Sequence, residues 1–257
     1  MDLSLEKKRV LITGSSRGIG AATARSFLKE GSKVFIVSRG SKQLYKTQES
    51  LISEFGRANI EVGECDCTDP VSLNSLKDRI EEEWGGLDIL IANVGDGSSV
   101  PDDLPDETQW NNTWKNNFDS GLYSIRTFLP LLKKSKGSIL FVSSITAMEA
   151  FGAPVDYSVA KTALAALSKN LARKLALRVR VNTIAPGNVF FEGSSWDMKL
   201  KKNPEKVNQI INATVPMKRF GSPDEVADAI VFLCSERASF ITGSVLVIDG
   251  GQTVGIF

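Results

Sequence analysis

Short runs of apolar, largely β-branched residues alternate along the chain with stretches of helical pattern. The runs occupy residues 10–12, 34–37, 60–62, 89–91, 139–142, 179–181 and 245–248. Nearly continuous apolar runs are typical of strands that are covered on both faces, as in a parallel sheet. Helix starts fall between the runs at Asp69-Pro70, Pro105-Asp106 and Ser222-Pro223. The alternation predicts a doubly wound α/β fold with right-handed crossovers.

The segment 188–220 interrupts this alternation. It follows a predicted strand and contains Phe190, Phe191 and Trp196 together with a group of lysines. A long insertion on the carboxyl side of a sheet is typical of a lid over a substrate, and the alternative is an ordinary pair of surface helices. No repeat and no Pro/Gly-rich linker divides the rest, so we expect a single domain over residues 1–257.

The chain of 257 residues contains no histidine. This excludes a Ser-His-Asp triad, a Cys-His dyad and any zinc or haem iron held by histidine. Acid–base chemistry must therefore use Tyr, Lys, Cys, Asp or Glu. With 31 Lys and Arg against 30 Asp and Glu, the chain also lacks the basic surface that general nucleic-acid binding requires.

Three cysteines, Cys65, Cys67 and Cys234, are too few for a disulfide scaffold, which favours a reducing compartment. Cys65 and Cys67 alternate along a predicted strand, so we expect them on opposite faces, as small apolar residues and not as metal ligands. No apolar run reaches the ~18 residues of a membrane span. Residues 1–6 lack the hydrophobic region of a signal peptide. We therefore expect a cytoplasmic protein with no membrane partner and no metal.

A glycine-rich turn follows the first predicted strand and opens an apolar-periodic helix. It reads Thr13-Gly14-Ser15-Ser16-Arg17-Gly18-Ile19-Gly20. Glycines let the backbone approach a pyrophosphate closely, and the helix N-terminus supplies free N–H groups and the positive end of the helix dipole. In this strand–turn–helix context the pattern predicts a dinucleotide site, and the alternative is a plain βα turn.

The end of the second predicted strand indicates which dinucleotide is bound. NAD sites usually carry an acidic residue there for the ribose hydroxyls, whereas this chain has Ser38 and Arg39, with Arg17 in the glycine turn. Guanidinium groups suit a 2′-phosphate, so the sequence favours NADP(H) over NAD(H). Asp66, at the end of the third predicted strand, is expected near the adenine, and the alternative is a helix-capping role shared with Asp69.

Tyr157 and Lys161 are four residues apart in a predicted helix, which puts both side chains on one face. A cation beside a phenol lowers the phenol's pKa from its reference value of ~10. A shift of ~2–3 units requires about 3–4 kcal/mol, so Lys161 would need help from a cationic nicotinamide ring and sheltered dipoles. Ser143 and Ser144 end the preceding predicted strand, which can meet the helix start at the carboxyl edge of the sheet. The alternative is a solvated helical pair.

These motifs together resemble those of the short-chain dehydrogenase/reductase family. Thr-Gly-x-x-x-Gly-x-Gly, Asn-x-Gly, a strand-ending Ser, Tyr-x-x-x-Lys, Pro-Gly and Asp-Gly-Gly occur in the family's order between Arg9 and Gly251. The resemblance implies a Rossmann-type doubly wound parallel sheet of about seven strands, a nicotinamide cofactor and often a homotetramer.

The resemblance also implies roles for single residues. Tyr157 would be the general acid in carbonyl reduction and the base in alcohol oxidation. Lys161 would lower the pKa of Tyr157 and hold the nicotinamide ribose. Ser144, in preference to Ser143, would hydrogen-bond the substrate oxygen.

A helix asparagine and a set of cofactor contacts complete the implied site. Asn117, with Asn116 as the adjacent alternative, would anchor a water in a proton relay. The implied cofactor-binding positions, with Tyr157 and Lys161, are Gly14, Ser16, Arg17, Gly18, Ile19, Gly20, Ser38, Arg39, Asp66, Cys67, Asn93, Val94, Gly95, Pro186, Gly187 and Val189.

Two segments depart from the family pattern. The usual Asn-Asn-Ala-Gly reads Ala92-Asn93-Val94-Gly95 here, which keeps the second Asn and the Gly, and we expect adjusted packing without loss of binding. Phe191 stands where the family usually has a Thr that contacts the carboxamide. Since Phe191 cannot donate a side-chain hydrogen bond, Asn188 or the backbone of the lid would have to replace that contact.

The sequence therefore predicts an enzyme that transfers a hydride between NADP(H) and a ketone or secondary alcohol. Arg17, Arg39 and residues 240–243 most resemble 3-oxoacyl-thioester reductases, with a sugar, polyol or hydroxysteroid dehydrogenase as the alternative. A catalytically idle nucleotide-binding protein is the alternative from another class, and the intact Ser144, Tyr157 and Lys161 argue against it.

The same resemblance suggests how copies of the chain assemble. Long helices are predicted at 106–134 and 154–178, and such helices pair across a two-fold axis in this family. The apolar end of the chain, residues 254–257, offers a second interface. We expect a homotetramer, with a dimer as the next choice.

Overall fold

The computed structural model describes residues 2–97 and 102–256, and within them seven parallel strands form one sheet in the order β3-β2-β1-β4-β5-β6-β7. The strands are β1 Arg9–Thr13, β2 Lys33–Ser38, β3 Ile60–Glu64, β4 Ile89–Ala92, β5 Ser138–Val142, β6 Arg180–Pro186 and β7 Val245–Ile248. Each predicted run coincides with a strand, although Val179 lies one residue before β6. The prediction of a parallel α/β sheet is confirmed.

Helices connect the strands and cover both faces of the sheet. They are α1 Gly18–Lys29, α2 Ser41–Phe55, α3 Pro70–Trp84, α4 Glu107–Trp114, α5 Ser120–Ser135, α6 Val155–Leu175, α7 Ser195–Lys202, α8 Pro204–Thr214 and α9 Pro223–Cys234. Within the described ranges, no helix has both the length and the apolar character needed to cross a bilayer.

Alternate residues of β1 enter two apolar clusters, one on each face of the sheet. Val10 and Ile12 pack with Phe27 of α1, whereas Leu11 packs with Phe35 of β2 and with Phe128 of α5. This two-sided burial explains why the strands have nearly continuous apolar sequences.

The strand order reverses between β1 and β4, and this reversal places the site. The chain moves from β1 outward to β2 and β3, then returns to pair β4 with the other side of β1. The connections after β1 and β4 therefore leave in opposite directions. In open α/β sheets this topology opens a crevice outside the carboxyl ends of the strands.

The predicted helix starts are confirmed by side-chain caps. The carboxylate of Asp69 accepts hydrogen bonds from the N–H groups of Val71 at 3.0 Å and Ser72 at 3.2 Å. The carboxylate of Asp106 accepts from Gln109 N at 2.8 Å. Such caps satisfy N–H groups that a helix cannot pair internally.

The long helix predicted at 106–134 contains an irregularity that the sequence did not reveal. Residues Lys115–Asp119 form a π-helical turn between α4 and α5, so the helical path runs from Glu107 to Ser135. The helix predicted at 154–178 ends earlier, since α6 spans Val155–Leu175.

The prediction that Cys65 and Cys67 point to opposite faces is wrong. Strand β3 ends at Glu64, and the chain then turns, with Asp69 N donating to Asp66 O at 3.0 Å. Both cysteines are buried in the same apolar cluster, and their thiols are hydrogen-bonded. Asp66 likewise lies beyond the end of β3. The alternation of a strand does not apply where the chain is no longer extended.

The segment 188–220 forms α7 and α8 on the carboxyl side of β6. The two helices enclose a small apolar cluster of their own, made by Val207, Ile211 and Val215 with Trp196 and Phe220 beside it. We call residues 188–220 the lid segment from here on.

Candidate active site

A cleft of about 510 Å³ runs along the carboxyl edge of the sheet, between the ends of β1, β4, β5 and β6 and the lid segment. Nearly all the residues predicted from the sequence line it. Of the predicted set, the residues outside its lining are Gly18, Gly20 and Asn117. The structure thus brings together residues that are up to 175 positions apart in the sequence, from Gly14 to Val189.

The glycine turn is shaped by close backbone packing. Gly14 has a φ of +63°, which favours glycine. A Cβ on Gly20 would lie 2.6 Å from Gly14 O, so only glycine lets α1 start this close to the turn. Asn93, at the end of β4, donates from Nδ2 to Thr13 O and Gly14 O, both at 3.0 Å. The predicted cofactor residue Asn93 therefore also holds the turn in place.

The residues predicted to select NADP(H) divide between two places. Arg39 lies near Asp66, and Ser38 donates from Oγ to Gly40 O at 3.0 Å. The Arg17 side chain instead lies against the lid segment, where a Cβ on Gly193 would be 2.9 Å from Arg17 Nη1. The end of β2 thus holds Arg39, whereas Arg17 links the glycine turn to the lid segment.

Asp66 is held by the turn that follows β3. Its carboxylate accepts hydrogen bonds from Thr68 N at 2.9 Å and Thr68 Oγ1 at 2.8 Å, while Asp69 caps α3. Burial raises the pKa of Asp66, but the hydrogen bonds from Thr68 and the charge of Arg39 outweigh it, so the pKa lies below its usual value. Asp66 is therefore a charged group in the cleft at neutral pH.

Ser144 faces Tyr157 and Ser143 does not. The hydroxyl groups of Ser144 and Tyr157 are hydrogen-bonded, and Ser144 Oγ also accepts from Thr146 N at 3.2 Å. Ser143 Oγ donates instead to Lys161 O at 2.9 Å, which ties the end of β5 to α6. The geometry agrees with the preference for Ser144.

Lys161 is buried beside the tyrosine ring. Its side chain is 3% exposed, and Nζ lies 5.8 Å from the ring centroid of Tyr157. Nζ donates to Val142 O at 3.1 Å. Burial lowers the pKa of Lys161 to about 8, because the low-polarity surroundings disfavour the ammonium form.

The pKa of Tyr157 moves in the direction opposite to the one expected from Lys161. Burial raises the pKa, the hydrogen bond with Ser144 lowers it, and the negative charge of Asp96 raises it. The sum lies above the usual value for tyrosine. At neutral pH Tyr157 is therefore in the phenol form, and a further positive charge in the cleft would favour the phenolate.

Asn117 lies in the π-helical turn and contacts the backbone of Asp96 from outside the cleft lining. Asn117 is 1% exposed, accepts from Asp96 N at 3.0 Å and donates to Asp96 O at 3.1 Å. A Cβ on Gly95 would lie 3.0 Å from Asn117 Oδ1 and 2.7 Å from Lys161 Nζ. The backbone of Gly95 thus lies between the side chains of Asn117 and Lys161. Asn116 is less buried, and its carbonyl accepts from Ser120 Oγ at 2.7 Å.

Asp96, Phe191 and Trp196 are among the lining residues that were not predicted as site residues. Asp96 follows Gly95 and belongs to no motif, so no sequence pattern indicated it. Phe191 and Trp196 line the cleft from the lid segment. The sequence showed that this segment is rich in aromatic residues but did not indicate that these two line the site. The ring of Phe191 rests on Gly18, since a Cβ there would be 2.6 Å from Phe191 Cζ.

Carboxylates and thiols do not gather into a metal site in the part of the chain that the structure describes. No group of three or more Cys, Asp and Glu side chains in residues 2–97 and 102–256 has the arrangement to hold an ion.

Known proteins resemble this chain over almost its full length. The family model described as enoyl-(acyl carrier protein) reductase matches residues 14–253. The 3-oxoacyl-(acyl-carrier-protein) reductase FabG of Escherichia coli (strain K12) is 33% identical over 253 residues, covering 97% of this chain and 99% of the relative. The dehydrogenase/reductase SDR family member 4 of Bos taurus is 35% identical over 258 residues, covering 96% and 88%.

A solved structure shows the same fold with ligands bound. It is the L-sorbose reductase from Gluconobacter frateurii complexed with NADPH and L-sorbose, with a TM-score of 0.92 and 32% identity. The match covers 99% of this chain and all of that one.

Proposed function

This chain belongs to the short-chain dehydrogenase/reductase family, and on that premise we propose that it transfers a hydride between NADP(H) and a ketone or secondary alcohol. It is an NAD(P)-dependent oxidoreductase. The observation that carries the proposal is the hydrogen-bonded pair of Ser144 and Tyr157 hydroxyls, with Lys161 beside the ring, in one cleft. A nucleotide-binding protein without catalysis has no need of this group.

The cleft fits a nicotinamide dinucleotide. Gly14, Gly18 and Gly20 bring backbone close to the start of α1, whose first N–H groups lack partners within the helix and attract a pyrophosphate. Arg39 and Ser38 would hold a 2′-phosphate, since no carboxylate stands at the end of β2. Asp66 would accept from the adenine. When bound, the nicotinamide supplies or accepts the hydride.

The chain's own residues handle the proton and the developing charge. In carbonyl reduction, Ser144 donates a hydrogen bond to the substrate oxygen, which stabilises the negative charge that forms there. Tyr157 transfers its phenolic proton to the same oxygen. The ammonium of Lys161 stabilises the phenolate that remains. Asn117 is the candidate to hold a water that returns the proton.

The raised pKa of Tyr157 gives the two directions different pH dependences. Reduction needs the phenol and stays active through neutral pH, whereas alcohol oxidation needs the phenolate and rises with pH.

Two substrate classes are candidates. A 3-oxoacyl thioester is supported by the relationship to FabG, and a sugar, polyol or hydroxysteroid is the alternative, with the L-sorbose reductase as support for a sugar. The lid segment would cover the substrate in either case. We also propose a cytoplasmic enzyme, because its three cysteines are free and buried, and a homotetramer.

The test is the Tyr157→Phe variant, which keeps the ring and deletes the acid. The purified protein is screened for loss of NADPH absorbance with a panel of ketones. We expect the variant to bind NADPH within about twofold of the wild type and to turn over at least ~10²-fold more slowly. Lys161→Ala should weaken both cofactor binding and turnover. A Phe variant that retains most of the activity would overturn the mechanism but not the fold.

A further inference from the structure

Asp96 lies at the point where the cofactor cleft reaches the proposed substrate site. It follows Gly95 at the end of β4 and lines the cleft together with Ser144, Tyr157 and Trp196 of the lid segment. The proposed chemistry does not use it. A carboxylate beside a reacting carbonyl has a strong effect on which substrates fit, because it accepts hydrogen bonds and repels other acceptors.

The backbone of Asp96 is fixed on both sides. Its N–H donates to Asn117 Oδ1 at 3.0 Å, and its carbonyl accepts from Asn117 Nδ2 at 3.1 Å. Asn117 is itself buried in the π-helical turn and donates to Thr113 O at 3.0 Å. The carboxylate therefore starts from a defined position and not from a freely moving loop.

The charge of Asp96 is felt at the reacting centre. Asp96 and Tyr157 line the same cleft, and the negative charge of Asp96 raises the pKa of the Tyr157 phenol. The substrate oxygen must bind at the hydroxyls of Tyr157 and Ser144, so the atoms next to the substrate carbonyl come close to Asp96.

The two candidate substrate classes offer opposite chemistry at this place. A 3-oxoacyl thioester places only methylene groups and another carbonyl acceptor around its ketone. A hydroxylated ketone carries O–H donors on the neighbouring carbons, which a carboxylate binds strongly. An ammonium substituent would also bind Asp96, but Lys161 Nζ, which lies 5.8 Å from the ring centroid of Tyr157, would repel it, whereas a neutral donor is not repelled.

We propose that Asp96 is a specificity-determining residue that selects ketones with a hydroxyl group next to the carbonyl. The inference rests on the proposed oxidoreductase function and narrows its substrate class. Of the two candidates, it favours polyhydroxy ketones over acyl thioesters.

The test compares hydroxyacetone with butanone, which differ by a hydroxyl in place of a methyl group. We expect the wild type to show kcat/KM with NADPH at least about tenfold higher for hydroxyacetone. Asp96→Asn should reduce this ratio several-fold, and Asp96→Leu, which has no acceptor, should bring it close to one. Butanone turnover should persist in both variants. Asp102→Asn, an exposed carboxylate in the following segment, is the matched control and should leave the ratio unchanged.

A second readout separates specificity from mere support of the fold. Removing the negative charge lowers the pKa of Tyr157, so alcohol oxidation by Asp96→Asn should begin at lower pH than in the wild type. Asp96→Glu, which keeps the charge, should retain the wild-type profile. A structural role alone would not move this profile.

The outcomes distinguish the inference from the function it rests on. Equal ratios in the wild type and Asp96→Leu overturn the inference, as does a wild type that reduces acetoacetyl-N-acetylcysteamine better than hydroxyacetone. A strong preference for aminoacetone that is lost in Asp96→Asn overturns the assignment to hydroxyl groups. Absence of turnover with every ketone overturns the proposed function as well.

Discussion

We expect the choice of cofactor to depend most on Arg39. It lies at the end of β2 beside Asp66, whereas Arg17 is turned towards Gly193. We expect NADPH to bind at least tenfold more tightly than NADH, a difference of ~1.4 kcal/mol. Arg39→Asp should shift the preference towards NADH, because it removes a cation and adds repulsion to the 2′-phosphate. Dissociation constants from fluorescence titration measure this.

The control for Arg39 is Arg57→Asp, which makes the same charge change at an exposed position outside the cleft. It should leave both dissociation constants unchanged. Equal affinities of the wild type for NADPH and NADH would contradict the assignment.

The buried ammonium group of Lys161 lowers the stability of the folded state. Its pKa is lowered from 10.5 to about 8, so the folded chain releases this proton at lower pH than the unfolded chain. The buried charge therefore disfavours the folded state fully below pH 8, and the effect fades as pH rises towards 10.5. Lys161→Met should raise the free energy of unfolding at pH 7 by about 1–3 kcal/mol, less whatever the bond to Val142 O contributes.

Thermal unfolding at several pH values checks this. In a domain of this size, each kcal/mol of added stability raises the melting temperature by about 2–4 °C. The gain should shrink above pH 8. Lys174→Met on the exposed side of α6 is the control and should have little effect. A Met variant that is less stable than the wild type at pH 7 would refute the explanation.

Spacing predicted some residues of the site well and others not at all. Tyr157 and Lys161 stand one helical turn apart, so a local rule places them together. Asn117 could not be separated from Asn116, because the π-helical turn that directs it inward has no signature in the helical period. Asp96 was missed because it is a single carboxylate in a loop and belongs to no motif. Its place in the site depends on neighbours that are distant in the sequence.

At the scale of elements, α9 shows how a helix end depends on pH. Ser222 and Glu225 form a reciprocal cap, with Ser222 N donating to Glu225 Oε2 at 2.8 Å and Glu225 N to Ser222 Oγ at 3.3 Å. Arg219 donates to the same carboxylate at 2.6 Å. These hydrogen bonds, that of Arg219 first, lower the pKa of Glu225 from 4.5 to about 2.

The carboxylate of Glu225 therefore contributes stability above pH 4.5 that is lost as pH falls towards 2. Glu225→Gln should lower the free energy of unfolding at pH 7 by up to about 1 kcal/mol, since the group is exposed. Urea unfolding at pH 7 and pH 3 measures the difference, which should shrink at pH 3. Glu82→Gln on α3 is the control. A difference that is the same at both pH values would contradict the role of the charge.

Strands and helices differ in how far the sequence predicts them. The strands were found because both faces are buried, which leaves a continuous apolar run such as residues 34–37. Helix starts were found where Asp or Ser caps them. The end of β3 was misjudged, because apolar Cys65 and Cys67 continue the pattern of the strand while the backbone has already turned.

At the scale of the whole molecule, apolar side chains remain uncovered at one edge. Leu246 on the edge strand β7 and Phe232 on α9 are partly exposed, and the ring of Phe240 is fully exposed. Val254 and Ile256 are also exposed, while Phe257 lies outside the described residues. We expect these groups to be buried between copies of the chain.

Light scattering at micromolar concentration should therefore give about four times the chain mass of 27.9 kDa. Phe240→Glu should reduce the mass to that of a dimer or monomer, because it buries a charge in the interface and leaves the single chain unaltered. Val71→Glu, which replaces an exposed apolar residue on α3, is the control. A wild-type mass near 28 kDa would contradict the assembly.

We expect the contacts between the lid segment and the glycine turn to couple the binding of substrate to the binding of nucleotide. Phe191 rests on Gly18, and Arg17 rests on Gly193, so the proposed lid over the substrate contacts the turn proposed to bind the pyrophosphate. Linkage requires that such coupling be reciprocal. If a bound nucleotide changes the affinity for substrate by some factor, a bound substrate must change the affinity for nucleotide by the same factor. A mutation at these contacts that is chosen to change the affinity for substrate should therefore also change the affinity for nucleotide.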